Sequence, residues 1–268
     1  EEASYDETTG RLTYYVTECS VNLDGKSTTN TIKKYVYDLG TTNNVAMLKS
    51  NGLDALISVY GGAAGKLIIE GGKITNEGGK HGIYVDSGYV DIKGGYLVGN
   101  GQYAGIYEDD NTTKTSVTLN GGAIWIKSGG LNVFGGVIAN NNARHGGGIY
   151  EEGWPTVNIT GGFIANNHSG ISGGGIYGSN GIIQVSDNAS IIGNLADYDG
   201  GGISYTNPNS GNTSMVLKIT GGCIAGNKSG LKEISGGNNG GGIYLETAKY
   251  NNVIEGNAVI SNNTSKNG

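Results

Sequence analysis

The chain is poor in most of the residues that mark a metal site, a redox centre or a nucleic-acid surface. Its 268 residues include 2 cysteines, 2 prolines, 2 tryptophans, 2 phenylalanines and 3 histidines, and 15% are charged. Cys19 and Cys223 lie far apart and show no metal spacing, so a zinc motif is excluded and a disulfide would have to join opposite ends of the chain. Cys223 is read as a small apolar residue. His81, His145 and His168 are too scattered for a close-spaced metal motif, and each is read as a polar corner residue. Lys and Arg number 17 against 23 Asp and Glu, for a net charge of −6, and no basic run occurs. Nucleic acid and anionic membranes are therefore not expected partners. No apolar stretch approaches the length of a transmembrane helix, so this segment is not expected to insert in a membrane. There is no G-x-S-x-G nucleophile motif.

Glycine is abundant, at 52 residues, without the G-X-Y period of collagen. It punctuates short Ile- and Val-rich runs that recur in register. Gly146-Gly147-Gly148-Ile149-Tyr150 leads to Val157-Asn158-Ile159-Thr160-Gly161-Gly162-Phe163-Ile164-Ala165-Asn166-Asn167, and Gly173-Gly174-Gly175-Ile176-Tyr177 opens the next copy. Ile149, Ile176 and Ile203 are spaced by 27 residues each. A fixed period in the twenties marks a solenoid. Each copy holds three extended segments, around Gly-Ile-Tyr, Val-x-Ile and x-Ile-Ala, all too short for helices. Alternation puts Val157 and Ile159 on one face, with Asn158 and Thr160 on the other.

The expected fold is all-β, a right-handed parallel β-helix of about seven or eight coils, roughly 35 Å long at one strand spacing per coil. Residues 55–268 form the repeat region, and residues 1–54 are expected to be an N-terminal cap or degenerate first coil, since terminal repeats are usually atypical. Ile149, Ile176, Ile203 and Ile243 should form one buried stack. The register is ambiguous over residues 117–138, where either one coil is abbreviated or Ala123-Ile124-Trp125-Ile126 serves as a first strand. The chain is expected to be a monomeric segment of a longer protein.

Two side-chain types march with the repeat. Three residues beyond the inner aliphatic stand Asn100, Asn141, Asn167, Asn194, Asn227 and Asn263, with Glu77 the exception. Asparagine tolerates left-handed backbone and bonds neighbouring turns through its amide, so a structural ladder at one corner is expected. Tyr84, Tyr107, Tyr150, Tyr177 and Tyr244 each follow an inward Ile and should point outward as an aromatic ladder. They either brace one another or offer a platform to sugar rings or a protein partner. The long insertions Thr206 to Thr213 and Lys228 to Asn239 could wall that platform.

Gly-Gly-x-Ile followed by Asn, alternating with Gly-Gly-Gly-Ile-Tyr, resembles the repeats of polymorphic outer-membrane proteins. It is also similar to β-helical adhesin regions of other bacterial surface proteins, autotransporter passengers and large gut-bacterial proteins among them. Gly146 to Ile149 and Gly173 to Ile176 match the first short family motif, and Phe163-Ile164-Ala165-Asn166 matches the second, where most copies here replace Phe. The resemblance covers about Leu56 to Asn263 and implies an extracellular or cell-surface adhesin or stalk segment. The expected function is non-catalytic binding of a glycan or surface protein through the tyrosine-bearing sheet, with no cofactor.

The alternative is a polysaccharide-active β-helix enzyme, a lyase or glycoside hydrolase. The chain has only Arg11 and Arg144 as arginines, neither beside an acidic cluster, and of the polygalacturonase-like motifs only Asp109-Asp110 is present. No catalytic residue is assigned. Asp197 and Asp199 flank Tyr198 and could bind calcium, but no ligand loop of known spacing surrounds them, so no metal site is assigned.

Overall fold

A computed structural model describes residues 4–6, 8–9, 11–21, 28–38, 47–50, 54–77, 79–101, 119–206, 216–232, 239–246 and 252–266. The chain winds through three parallel sheets. Sheet I holds seven strands, Ile57–Val59, Ile83–Val85, Ile124–Ile126, Ile149–Glu152, Ile176–Ser179, Ile203–Thr206 and Ile243–Glu246. Sheet II holds another seven, Lys66–Ile69, Tyr89–Ile92, Gly130–Val133, Thr156–Ile159, Ile182–Val185, Val216–Ile219 and Val253–Ile254. Sheet III holds eight, Met47–Ser50, Lys73–Asn76, Tyr96–Val98, Val137–Ala139, Phe163–Ala165, Ser190–Ile192, Cys223–Ala225 and Val259–Ser261. Each circuit visits the sheets in that order, which makes the molecule a parallel β-helix. A short fourth sheet, Asn142–His145, His168–Ser172 and Leu195–Ala196, lines the corner between sheets III and I.

The strands are in register coil on coil. Ile149 pairs with Ile176, Ile176 with Ile203 and Ile203 with Ile243, as the 27-residue spacing predicts. The first three have no solvent exposure, and Ile243 packs partly buried against the same core. Inward Ile, Val and Leu of all three sheets form one continuous cluster from Val59 to Ile224. Fully burying each such side chain contributes about 1.5–3 kcal/mol, and no coil could enclose its share without neighbours above and below. The ambiguity over residues 117–138 resolves in favour of Ile124–Ile126 as a first strand, paired with Ile83–Val85 on one side and Ile149–Glu152 on the other.

The glycine triplet and the marching asparagine, some twenty residues apart in sequence, are one device. Asn167 Nδ2 donates to the Ile138 carbonyl at 2.9 Å and to Asn194 Oδ1 at 3.0 Å. Its Oδ1 accepts from the Asn141 backbone N–H and side-chain amide at 3.1 and 2.9 Å. The buried amide thus uses its full bonding capacity. Gly148 lies over it, and a Cβ there would come within 3.2 Å of Asn167 Nδ2. At Gly147 a Cβ would fall 2.4 Å from the His168 carbonyl of the next coil, which no side chain tolerates.

Two expectations about this ladder need correction. The left-handed residue is the one before each buried amide: Asn140, Asn166 and Asn262 have φ of 53°, 50° and 56°, and Gly99, Gly193 and Gly226 fill the same place elsewhere. Glu77 does not interrupt the ladder either. Asn76, one residue earlier because that corner is one residue shorter, donates its backbone N–H to Asn100 Oδ1 at 2.8 Å.

Of residues 1–54, expected to cap the stack or form a degenerate first coil, the described strands divide between two sheets. Met47–Ser50 is the outermost strand of sheet III. Ser4–Asp6, Arg11–Val21 and Thr28–Asp38 form a separate antiparallel sheet. Its Tyr5 and Leu12 bury themselves against the outward side chains Val98, Val137, Ala139, Ala165 and Ile192 of sheet III. Asn140 Nδ2 donates to the Tyr5 carbonyl at 3.3 Å. Tyr5 and Leu12 therefore pack on the flank of the rod.

Candidate aromatic binding face

The outward position after each inward Ile of sheet I carries, in coil order, Ser58, Tyr84, Trp125, Tyr150, Tyr177, Ser204 and Tyr244. Four rings run without interruption. Tyr84 and Trp125 meet edge to face with centroids 5.2 Å apart, Trp125 and Tyr150 likewise at 6.1 Å, and Tyr150 stacks on Tyr177 at 5.2 Å with planes only 11° apart. Aromatic contacts of this kind contribute roughly 0.5–1.5 kcal/mol each beyond burial. All four rings are half-buried. The face is therefore braced by mutual packing and still open to solvent on one side.

Of the five tyrosines singled out in the sequence, Tyr84, Tyr150 and Tyr177 share this run. Tyr244 stands apart from it, because Ser204 occupies the intervening rung. Tyr107 lies outside the described residues. The rung found only in the structure is Trp125. Its signal was present, since Gly121-Gly122-Ala123-Ile124-Trp125 is the Gly-Gly-Gly-Ile-Tyr motif with Ala for the third glycine and Trp for Tyr.

Polar groups hold the ring edges. The Tyr84 hydroxyl donates to Asp86 Oδ1 at 3.1 Å, Trp125 Nε1 donates to Glu152 Oε2 at 3.1 Å, and the Tyr177 and Thr206 hydroxyls bond at 2.9 Å. Asp86 also faces the Lys127 ammonium at 3.9 Å. Burial raises the phenol pKa values of Tyr150 and Tyr177, which keeps both hydroxyls neutral donors. On the opposite margin His145 packs on Tyr177 at 4.7 Å and His81 on Trp125 at 5.0 Å. Burial depresses both imidazoles to about 4, aided at His145 by Arg144, so both are neutral wedges at physiological pH.

At the Tyr84 end the face opens into a pocket of about 350 Å³. Tyr60, Tyr84 and Trp125 provide its aromatic walls, and Asp54, Ser58 and Lys80 provide polar groups. Tyr60 meets Tyr84 edge to face at 6.2 Å and is well exposed. Asp54 and Lys80 pair at 3.1 Å. The pocket is tied to the interior ladder, because Asn76 Nδ2 donates to the carbonyls of Asp54 at 2.7 Å and His81 at 2.9 Å. His81 Nδ1 in turn lies 2.8 Å from the Gly121 carbonyl and donates to it.

Other residues considered for chemistry are engaged elsewhere. Asp197 takes His168 Nε2 at 2.9 Å and the Lys232 ammonium at 2.7 Å. Burial works against its ionised form, yet these two partners hold the carboxyl below its usual range. Asp199 Oδ1 accepts the Asn239 backbone N–H at 2.9 Å. The two acids therefore face different protein partners and do not converge on one point. Asp109 and Asp110 lie outside the described residues, as do residues 207–213 and 233–238 of the two long insertions. Among the described residues, no group of three or more His, Cys, Asp or Glu is arranged to hold a metal. Cys223 is a half-buried free thiol on sheet III.

One carboxyl has an unusual place. Glu151 alternates inward after Tyr150 and has no solvent exposure. Its Oε2 accepts the Ser179 N–H at 2.7 Å, in a space left by Gly178 and covered by Tyr205, whose hydroxyl donates to the Gly181 carbonyl at 2.6 Å. Burial pushes its pKa up to about 8, against the opposing pull of the Gly181 and Ser179 N–H groups. Enclosed in this way, it has no contact with a ligand on the outer face.

Among the described residues no helix is long and apolar enough to cross a membrane. No family model matches the chain, and no curated protein or solved structure is significantly similar to it.

Proposed function

We propose that this chain is a non-catalytic binding segment of a bacterial surface protein, and that the aromatic face of sheet I receives an extended glycan. The observation that carries this reading is the uninterrupted run Tyr84–Trp125–Tyr150–Tyr177, with centroids 5.2–6.1 Å apart and ring edges fixed by polar neighbours. Sugar rings present apolar C–H faces and hydroxyl edges, and such a strip offers a continuous apolar surface of packed rings flanked by Asp86, Lys127 and Glu152 as donors and acceptors. The rigid stack presents these groups without ordering cost at binding, which favours affinity. An extracellular location follows from this function as part of the same proposal.

The test is binding of neutral and acidic polysaccharides by affinity electrophoresis, with Trp125→Ala as the informative variant. The parent should be retarded by at least one glycan, and Trp125→Ala should lose at least tenfold in affinity while keeping its far-ultraviolet circular dichroism. Incubation of the same glycans with the protein, with and without calcium, should release no new reducing ends or unsaturated products. Product release would replace this reading with that of an enzyme.

A further inference from the structure

We infer that the pocket at the Tyr84 end of the face is a subsite for a single uncharged pyranose unit, the position that anchors one end of the bound glycan; this rests on the glycan-binding reading above. The pocket, at about 350 Å³, sits at the lower end of the size range of small-molecule sites, roughly 300–1,000 Å³. Its shape and its charge both specify the occupant.

Tyr60, Tyr84 and Trp125 meet at steep angles, 65° for the first pair and 69° for the second, so they form a corner and not a flat floor. A corner of rings encloses a compact, partly apolar body on adjacent sides, whereas the Tyr150–Tyr177 pair packs its facing surfaces on each other and presents ring edges outward. Trp125 is held by His81 from behind and by Glu152 at its Nε1. The pocket wall is therefore fixed before any ligand arrives.

The polar side supplies one donor and one acceptor side by side. Lys80 Nζ and Asp54 Oδ1 are 3.1 Å apart and both groups are substantially exposed. Two adjacent sugar hydroxyls match that pair: one donates to the carboxylate and its neighbour accepts from the ammonium. The same pairing argues against a charged ligand. A uronate carboxylate drawn to Lys80 is repelled by Asp54 beside it, and an ammonium drawn to Asp54 is repelled by Lys80; the next charged pair along the face, Asp86 with Lys127, is balanced in the same way. His81 adds no charge, since burial keeps it neutral. Asn76 fixes the backbone of both Asp54 and His81 through the buried ladder, so the donor–acceptor pair and the aromatic corner share one rigid mount.

The test uses intrinsic fluorescence in a Trp154→Phe background, which leaves Trp125 as the only tryptophan of the two in the chain. The probes are neutral β-linked gluco- and manno-oligosaccharides of increasing length, with oligogalacturonides as the charged counterpart. Neutral oligosaccharides should perturb Trp125 emission. Combined Asp54→Ala and Lys80→Ala, and separately Tyr60→Ala, should weaken the shortest binding oligosaccharide at least tenfold and longer ones less. All these side chains are exposed, so circular dichroism and melting should match the parent. If neutral oligosaccharides bind with unchanged affinity to these variants but not to Tyr150→Ser with Tyr177→Ser, the subsite assignment is wrong and the glycan-binding face stands. Preference for oligogalacturonides over neutral chains likewise overturns the subsite alone. If no glycan of either class binds the parent, the functional reading fails and the subsite with it.

Discussion

Two ladders climb this molecule, one inside the III–I corner and one outside sheet I, and they obey different rules. The asparagine ladder runs through Asn76, Asn100, Asn141, Asn167, Asn194, Asn227 and Asn263 with the same residue at every rung. The aromatic ladder mixes Tyr and Trp and gives way to Ser204. The difference is one of solvent. An interior amide both donates to the coil below and accepts from the coil above, so any other residue orphans groups on two neighbours, at about 1–3 kcal/mol each. An outward ring contributes packing that water partly replaces. Uniformity inside is thus imposed by hydrogen-bond closure. Variety outside is permitted by the fold, which leaves that face free to be shaped by what it touches.

Substitutions can break this contrast in order of expected effect. Asn167→Ala strands the Ile138 carbonyl and the amide groups of Asn141, and should cost about 3–6 kcal/mol in urea unfolding followed by circular dichroism. A loss under about 1 kcal/mol would show that water or a neighbour substitutes for the rung, and the interior ladder would then be as tolerant as the outer one.

Glu151 sharpens the contrast by placing a titratable group on the inside. Its folded pKa of about 8 lies above the unperturbed 4.5. The folded state therefore holds the proton more tightly, and the stability this confers is fully present below about 4.5 and is lost as pH rises to about 8. Glu151→Gln should match the parent near pH 4 and exceed it at pH 9 by on the order of 5 kcal/mol. Parallel stability–pH curves for the two proteins would refute a buried neutral carboxyl. The smallest effect belongs to the outer ladder. Tyr177→Phe keeps the ring stacked on Tyr150 and removes only the bond to Thr206, so it should cost about 0.5–1.5 kcal/mol and leave glycan binding intact. A cost rivalling that of Asn167→Ala would place the two ladders under one rule.

Much of this was legible in the sequence because the repeat is a direct image of the coil. The 27-residue spacing gave the register of Ile149, Ile176 and Ile203, and alternation gave the outward course of Tyr150 and Tyr177. The same alternation directs Glu151 inward, although a charged residue in that place runs against ordinary burial preference. The place of Trp125 in the aromatic ladder was hidden because the Gly-Gly-Gly-Ile-Tyr motif is changed there at two of its five positions. The position of Asn76 depended on a corner shortened by one residue, which spacing counted from Ile74 cannot reveal. The pocket was out of reach for a more basic reason. Asp54, Tyr60, Lys80 and Trp125 come from three different coils, and only the winding brings them together. The packing of Tyr5 and Leu12 on sheet III is a contact of the same long-range kind.

The union of glycine triplet and buried amide makes the length of this protein quantised. From Gly146 onward the coils meet at joints built the same way, so that part of the rod can grow or shrink only in whole steps, each about 4.8 Å. Excising residues 150–176 would join Ile149 to Tyr177, regenerate Gly-Gly-Gly-Ile-Tyr, and bring Asn141 opposite Asn194. Nothing at the seam would differ from any other joint. The interior keeps phase while the number of rings on the outside is set by counting coils, so the span of the outer face is a dimension that can be dialled without redesigning the core.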